Sequence, residues 1–120
     1  MIHTENDGSS YWFMTKHSDA PNAADFLKKH LHHEWDEESH VVQVEVFAKA
    51  PFTVYIAQQK LGDLMLVPKR SCHQVINSGG ITSKISWSRM TLRGLETALC
   101  HELPVYRRYE IYLISLLGFF

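Results

Sequence analysis

Cysteine is scarce in this sequence: only Cys72 and Cys100 occur among 120 residues, and their spacing is not that of a metal site. The sequence therefore indicates neither a disulfide framework nor a cysteine-ligated zinc site, and we expect reduced thiols in an intracellular protein. Charge of one sign is not in excess either, since the formal net charge is −1. No nucleic-acid-binding surface and no charged disordered tail follow from that balance.

Long apolar runs are also missing. Residues 1–10 are polar, which is not typical of a signal peptide. The apolar tail "IYLISLLGFF" has ten residues, whereas a membrane-spanning helix needs about 20. We therefore expect a single domain with one core and no membrane partner.

What is present is a β-rich middle between helical segments. Turn residues followed by "YWFM" predict a hairpin over residues 1–15. Residues 19–50 are predicted to be an inserted helical segment that Ser18 or Asp19 caps, although "VVQVEVF" within it also alternates as a strand would. The predicted inner face of its first helix carries Ala24, Leu27 and Leu31.

From residue 52 onward, four strings predict short strands: "FTVYIAQ", "LMLVP", "HQVIN" and "SKISWSRM". Gly62-Asp63 and "NSGG" supply the turns between them. A helix capped by Thr91 follows, with a predicted inner stripe of Leu92, Leu95 and Leu99. The predicted organisation is a β core over residues 1–90, which includes the helical segment, and a helical extension over residues 91–120.

One histidine stands out on a predicted strand. His73, Val75 and Asn77 alternate in "HQVIN", so their side chains share one face of the strand, while Gln74 and Ile76 take the other. A strand histidine that points into a barrel is suited to hold a metal, but a strand histidine without such a role is the commoner case.

The longer string "Q-x-x-G-D-L-M-L-V-P-x-x-x-x-H-Q-V-x-N", followed by "S-K-I-S-W", closely resembles the C-terminal half of the Jumonji C (JmjC) domain. The first residue of that pattern is Gln58 or Gln59. "WSRMTLRGLETALCHELPVYRR" resembles the helical extension of JmjC proteins of fungal type. The resemblance implies a mainly β fold with flanking helices, here part of a cupin-like double-stranded β-helix, or jelly roll.

The resemblance also implies a metal site of the facial-triad type, formed by His-x-Asp/Glu and a distant histidine. His73 matches the distant histidine. The His-x-Asp/Glu pair is expected before residue 1, so we expect a truncated form that lacks these ligands. His3 and Glu5 in "HTE" have the right residue types and are the less favoured alternative, and in "HSD" Asp19 is more simply an N-cap.

The co-substrate of such enzymes, 2-oxoglutarate, needs a cation for its distal carboxylate. Many JmjC domains place a lysine two residues before the tryptophan of the "YWF" strand, where this sequence has Ser10. Lys84 in "SKISW" is the candidate substitute, although an outer-face position for it is equally compatible with the sequence. Asn77 either contributes to the 2-oxoglutarate pocket or closes the "NSGG" turn.

The resemblance implies an Fe(II)- and 2-oxoglutarate-dependent oxygenase, with demethylation of lysine in histones or other proteins as the expected activity. We expect residues 1–120 alone to be inactive or weakly metal-binding. Two alternatives stay open: a non-catalytic chromatin or protein-interaction module, and a small cupin metalloenzyme using His3, Glu5 and His73. A nuclear location and self-association through an open sheet edge are further expectations.

Overall fold

A computed structural model describes residues 1–31 and 41–103. Five strands are assigned there: β1 (His3–Thr4), β2 (Ser9–Thr15), β3 (Val54–Gln59), β4 (His73–Ser78) and β5 (Thr82–Ser83). The helices are α1 (Ala20–Leu31), α2 (Val44–Phe47) and α3 (Leu92–Thr97), with a short 3-10 helix at His17–Asp19 and a π-helix at Ala98–Glu102. The chain divides into two compact units, Met1–Ser86 and Trp87–Phe120.

The first unit is built around a three-stranded antiparallel sheet in the order β3-β2-β4. β2 is its central strand: Trp12 lies opposite Ala57 of β3 and Val75 of β4. β1 and β5 form a separate antiparallel pair in which His3 lies opposite Ser83. The mainly β fold with flanking helices is therefore confirmed.

Alternation along the three strands gives the sheet two faces. We call one the His73 face; it carries Ser10, Trp12 and Met14 of β2, Tyr55, Ala57 and Gln59 of β3, and His73, Val75 and Asn77 of β4. On the opposite face, Phe13 is buried and its ring stacks on Phe47 of α2, with 5.7 Å between ring centroids. The Gln74 side-chain amide bonds the Val42 backbone twice: Oε1 accepts from the Val42 N–H at 2.7 Å, and Nε2 donates to the Val42 carbonyl at 2.9 Å.

Helix α1 begins differently from the prediction. Ser18 and Asp19 lie within the 3-10 helix that runs directly into α1, and the Asp19 backbone N–H donates to the carbonyl of Lys16. No side-chain cap is present at Lys16, the residue before the 3-10 helix, so the predicted cap is wrong. The buried face of α1 carries Ala20, Ala23 and Phe26, and Phe26 meets Phe52 edge to face at 5.7 Å.

The predicted hairpin over residues 1–15 is wrong. Asn6 and Asp7 do turn the chain, both with positive φ, but β1 pairs with β5 and not with β2. The reason is the turn after β4: Gly79 and Gly80 lie against the turn after β1, and a Cβ on Gly80 would collide with the backbone of Glu5. Two turns that pack closely bring β1 and β5 together.

Two of the predicted strands do not form. Residues 64–68 have no strand assignment, and Leu64 and Leu66 are 62% and 78% exposed. In "SKISWSRM" only Ser83 belongs to a strand, and Trp87 is 71% exposed. An apolar alternating segment needs a neighbouring strand to form a ladder, and no strand pairs with residues 64–68 or 84–90 among the described residues.

In the second unit, the prediction of the cap is confirmed because the Thr91 hydroxyl accepts a hydrogen bond from the Gly94 backbone N–H at 3.1 Å. The predicted inner stripe is wrong, since Leu92, Leu95 and Leu99 are 77%, 39% and 54% exposed. Among the helices that the structure describes, none has the length and apolarity required to cross a membrane.

Candidate metal and co-substrate site

His73 is the first residue of β4, and the chain reaches it through a tight turn. The Ser71 backbone N–H donates to the Pro68 carbonyl at 3.2 Å, and Arg70 takes a left-handed conformation with φ +56°. Ser71 is buried and its hydroxyl donates to the Thr15 carbonyl at 2.8 Å. These bonds fix the backbone two residues before His73 against the end of β2.

One nitrogen of the His73 ring is engaged, and the other has no partner among the described residues. Its Nδ1 lies 3.1 Å from the Ser71 carbonyl oxygen. A carbonyl oxygen only accepts, so this contact requires the proton on Nδ1 and leaves a lone pair on Nε2. Metal-binding histidines commonly have this arrangement, in which a backbone carbonyl fixes the tautomer.

A polar group lies further along the same face. The Asn77 Oδ1 atom accepts hydrogen bonds from the Lys84 ammonium and from the Ser10 hydroxyl, both at 2.7 Å. The Thr82 hydroxyl lies 3.5 Å from the same oxygen. Ser10 is fully buried, with 0% exposure, whereas Lys84 is half-buried. The structure therefore brings together three residues that the sequence only suggested separately.

His73 and Asn77 are separated by four residues of one strand, which is about 13 Å. Their common face agrees with the strand register, because Met14 and Ser10 of β2 lie opposite them. An imidazole with a free nitrogen and a primary ammonium are therefore presented on the same side of the sheet.

His3 and Glu5 lie elsewhere. The His3 Nε2 and Glu5 Oε1 atoms are 3.7 Å apart, and both side chains are more than half exposed. Within residues 1–31 and 41–103, no three His, Cys, Asp or Glu side chains come together in a way that would hold a metal ion. The structure thus does not join His3, Glu5 and His73 into one site.

Cys72, next to His73, points to the opposite face and is half-buried. Burial raises the pKa of its thiol, while a hydrogen bond with Thr15 acts in the other direction. The Cys72 backbone N–H also donates to the Thr15 hydroxyl at 3.1 Å. Cys72 therefore belongs to the packing behind the site and is not a ligand beside His73.

Sequence reasoning gave Trp12 no role in the site and left Gln58 and Gln59 undecided. The Trp12 ring stacks on the His73 imidazole with centroids 6.0 Å apart and a 20° angle between planes. The strand register separates the two glutamines: Gln59 is buried on the His73 face and Gln58 is exposed on the other. Counting in steps of two from Ser10 would have found Trp12.

The chain is similar to known proteins in sequence. The family model described as "JmjC domain, hydroxylase" matches residues 2–88. "C-module-binding factor A" of Dictyostelium discoideum is 27% identical over 124 aligned positions, which cover 100% of this chain and 12% of that protein. No solved structure gives a significant match.

The match covers most of the chain, and this chain belongs to the JmjC family. Membership implies a cupin-like jelly-roll fold, to which the observed sheets contribute. The family generally uses Fe(II) and 2-oxoglutarate, so His73, Lys84 and Asn77 can be assessed as parts of that kind of site.

Proposed function

We propose that this chain forms part of an Fe(II)- and 2-oxoglutarate-dependent oxygenase. The observation that carries the proposal is that His73, with Nδ1 engaged and Nε2 free, shares one sheet face with the Lys84–Asn77 pair. Family membership supplies the chemical class, and the geometry supplies residues of the right kind for both the metal and the co-substrate.

His73 would be one of the three protein ligands of the iron, through Nε2. The bound metal and co-substrate supply the oxidising chemistry. The protein residues named here contribute binding and orientation: the Ser71 carbonyl holds the His73 ring in the tautomer that a metal requires. Two more ligands are needed, and within the described residues no group of three such side chains forms. We propose that polypeptide beyond the described residues supplies them.

Lys84 would bind the distal carboxylate of 2-oxoglutarate. Its ammonium donates to Asn77 Oδ1 and lies 3.4 Å from the Thr82 hydroxyl, so two neutral oxygens hold it without cancelling its charge. A half-buried cation with neutral neighbours is well suited to a carboxylate ligand. Asn77 thus holds the cation in place, and Ser10 holds Asn77.

The substrate class we propose is N-methylated lysine in histones or other proteins, in the nucleus. Family membership supports this choice. Hydroxylation of an N-methyl group yields formaldehyde and the demethylated amine, so formaldehyde release is the signature to measure.

The first test is binding to the chain as it is. We expect weak Fe(II) binding, measured anaerobically by calorimetry, that His73→Ala abolishes. His17→Ala is the matched control, because that imidazole also bonds a backbone carbonyl but lies outside the sheet. Equal iron binding by the parent and His73→Ala would remove His73 from the site.

The second test addresses the co-substrate. We expect Lys84→Met to weaken 2-oxoglutarate binding by at least about tenfold, the effect of losing one charge-assisted contact worth roughly 1.5–3 kcal/mol. Lys60→Met is the control, because Lys60 is exposed in the turn after β3. If both variants bind 2-oxoglutarate as the parent does, Lys84 is not its cation.

A second candidate function is a non-catalytic protein-interaction module. Two observations favour it: no complete metal-ligand set among the described residues, and exposed apolar side chains at Leu64, Leu66 and Trp87. The test measures binding of a histone peptide to the parent, to His73→Ala and to Lys84→Met. Equal peptide affinity of all three proteins, together with no iron binding by the parent, would support the interaction module over the oxygenase.

A further inference from the structure

A diagonal row of three side chains crosses the His73 face from β4 to β3. His73 and Gln59 are both diagonal neighbours of Trp12, which occupies the central strand. Directly opposite Trp12 are the smaller side chains of Ala57 and Val75, which leave room for the indole to lie along this diagonal. The register of the sheet therefore places an aromatic ring beside the candidate metal ligand.

The indole is fixed on its far side. Trp12 Nε1–H donates to Gln59 Oε1 at 2.9 Å, and Gln59 Nε2 donates to the Asp63 carbonyl at 3.1 Å. Gln59 is only 4% exposed, and both of its bonds require the same orientation of its amide. A buried amide with its donor and its acceptor both satisfied is held rigidly.

The turn that receives Gln59 is itself closed by specific bonds. The Lys60 backbone N–H donates to the Asp63 carboxylate at 2.8 Å, and the Asp63 N–H donates back to the Lys60 carbonyl at 3.0 Å. Gly62 has φ +86°, a conformation that glycine adopts at little cost. The Gly62-Asp63 turn therefore presents the Asp63 carbonyl to Gln59 in a fixed place.

We propose that Trp12 and Gln59 are positioning residues for His73. The Asp63 carbonyl orients Gln59, Gln59 orients the indole, and the indole limits the rotation of the His73 ring so that Nε2 keeps one direction. This inference rests on the proposed metal role of His73, although the ring contact itself can be tested without metal. It also gives a physical reason why a glutamine and a Gly-Asp turn accompany the histidine in one sequence pattern.

The metal-free test uses NMR on the full chain. In the parent we expect nuclear Overhauser contacts between the Trp12 indole and the His73 ring, with ring nitrogen shifts of the Nδ1–H tautomer. Gln59→Leu should keep the volume of the side chain and cause loss of these contacts, together with a mixture of tautomers. Gln59→Glu keeps an acceptor for the indole N–H and should retain part of the contacts.

The matched control is Gln58→Leu, because Gln58 is the adjacent glutamine on the opposite face, where it bonds the Ser9 and Tyr11 hydroxyls. Unchanged ring contacts and tautomer in Gln59→Leu would overturn the proposal, as would an equal effect of Gln58→Leu. If the parent shows His73-dependent Fe(II) binding, Gln59→Leu should weaken it about tenfold. Absence of iron binding in the parent would contradict the proposed function and leave the ring measurement to decide the positioning role.

Discussion

The hydroxyl of Ser10 offers a precise test of the polar group beside Lys84. Ser10 has 0% exposure, and its hydroxyl donates to Asn77 Oδ1 at 2.7 Å. Replacing Asn77 with leucine removes that acceptor while the hydroxyl stays buried. Replacing Ser10 with alanine removes the donor, and the double variant removes both.

The expected magnitudes follow from the cost of an unsatisfied buried group. Asn77→Leu should lower the free energy of unfolding by about 2 kcal/mol, because a buried hydroxyl without a partner costs roughly 1–3 kcal/mol. Ser10→Ala should cost about 1 kcal/mol, the net value of a typical hydrogen bond. The double variant should lose less than the sum, with a coupling energy of about 1 kcal/mol.

Urea denaturation followed by circular dichroism measures all four proteins of this cycle. Asn77→Leu also removes the contact with Lys84. Measuring Lys84→Met alone and combined with Asn77→Leu gives the part of the lost unfolding free energy that comes from this contact. Additive single effects, with coupling below about 0.3 kcal/mol, would refute the reasoning, since they would mean that Ser10 and Asn77 do not satisfy one another.

Three further predictions concern a buried aromatic ring and the two thiols. Phe13→Ala should lower the free energy of unfolding by about 3–5 kcal/mol in urea titrations, because it removes a buried ring stacked on Phe47; a loss below about 1 kcal/mol would contradict that burial. Iodoacetamide should alkylate exposed Cys100 well before Cys72, as peptide mass mapping would show, and equal rates would contradict the half-buried position of Cys72. Because burial raises the pKa of the Cys72 thiol, the folded state holds that proton more tightly than the unfolded state does. The contribution of the thiol to stability is complete below the unfolded pKa of about 8.5 and falls as the pH rises through the folded pKa. Cys72→Ala should therefore flatten the alkaline fall in melting temperature, and a pH profile identical to that of the parent would contradict this prediction.

The common face of His73, Val75 and Asn77 could be predicted from the sequence because side-chain direction in a strand depends only on alternation. β4 forms at His73–Ser78, and its register with β2 puts the three side chains on one side. The Gly62-Asp63 turn was predictable for a similar reason, since its positive φ is a local property of glycine. Local rules were sufficient for these features.

Partner choice between strands could not be predicted from local rules. β1 pairs with β5, at residues far apart in the sequence, because the two glycine-containing turns pack against each other. The segments at residues 64–68 and 84–90 have strand-like sequences, but no strand pairs with them among the described residues and they have no strand assignment. Strand propensity measures how well a side chain fits a neighbouring strand, so it predicts little where the neighbour is unknown.

The structure gives a physical reason why serine, and not lysine, occupies position 10. Many JmjC domains place a lysine at the position of Ser10, but the Ser10 side chain is fully buried beside Asn77, where an ammonium would lose its hydration. Lys84 approaches the same Asn77 oxygen from a half-buried position, where its stem can pack and its charge stays partly solvated. The Asn77 Oδ1 atom thus accepts from both the buried Ser10 hydroxyl and the Lys84 ammonium. Under the proposed co-substrate role, Lys84 would supply the positive charge at this end of the face without the cost of full burial.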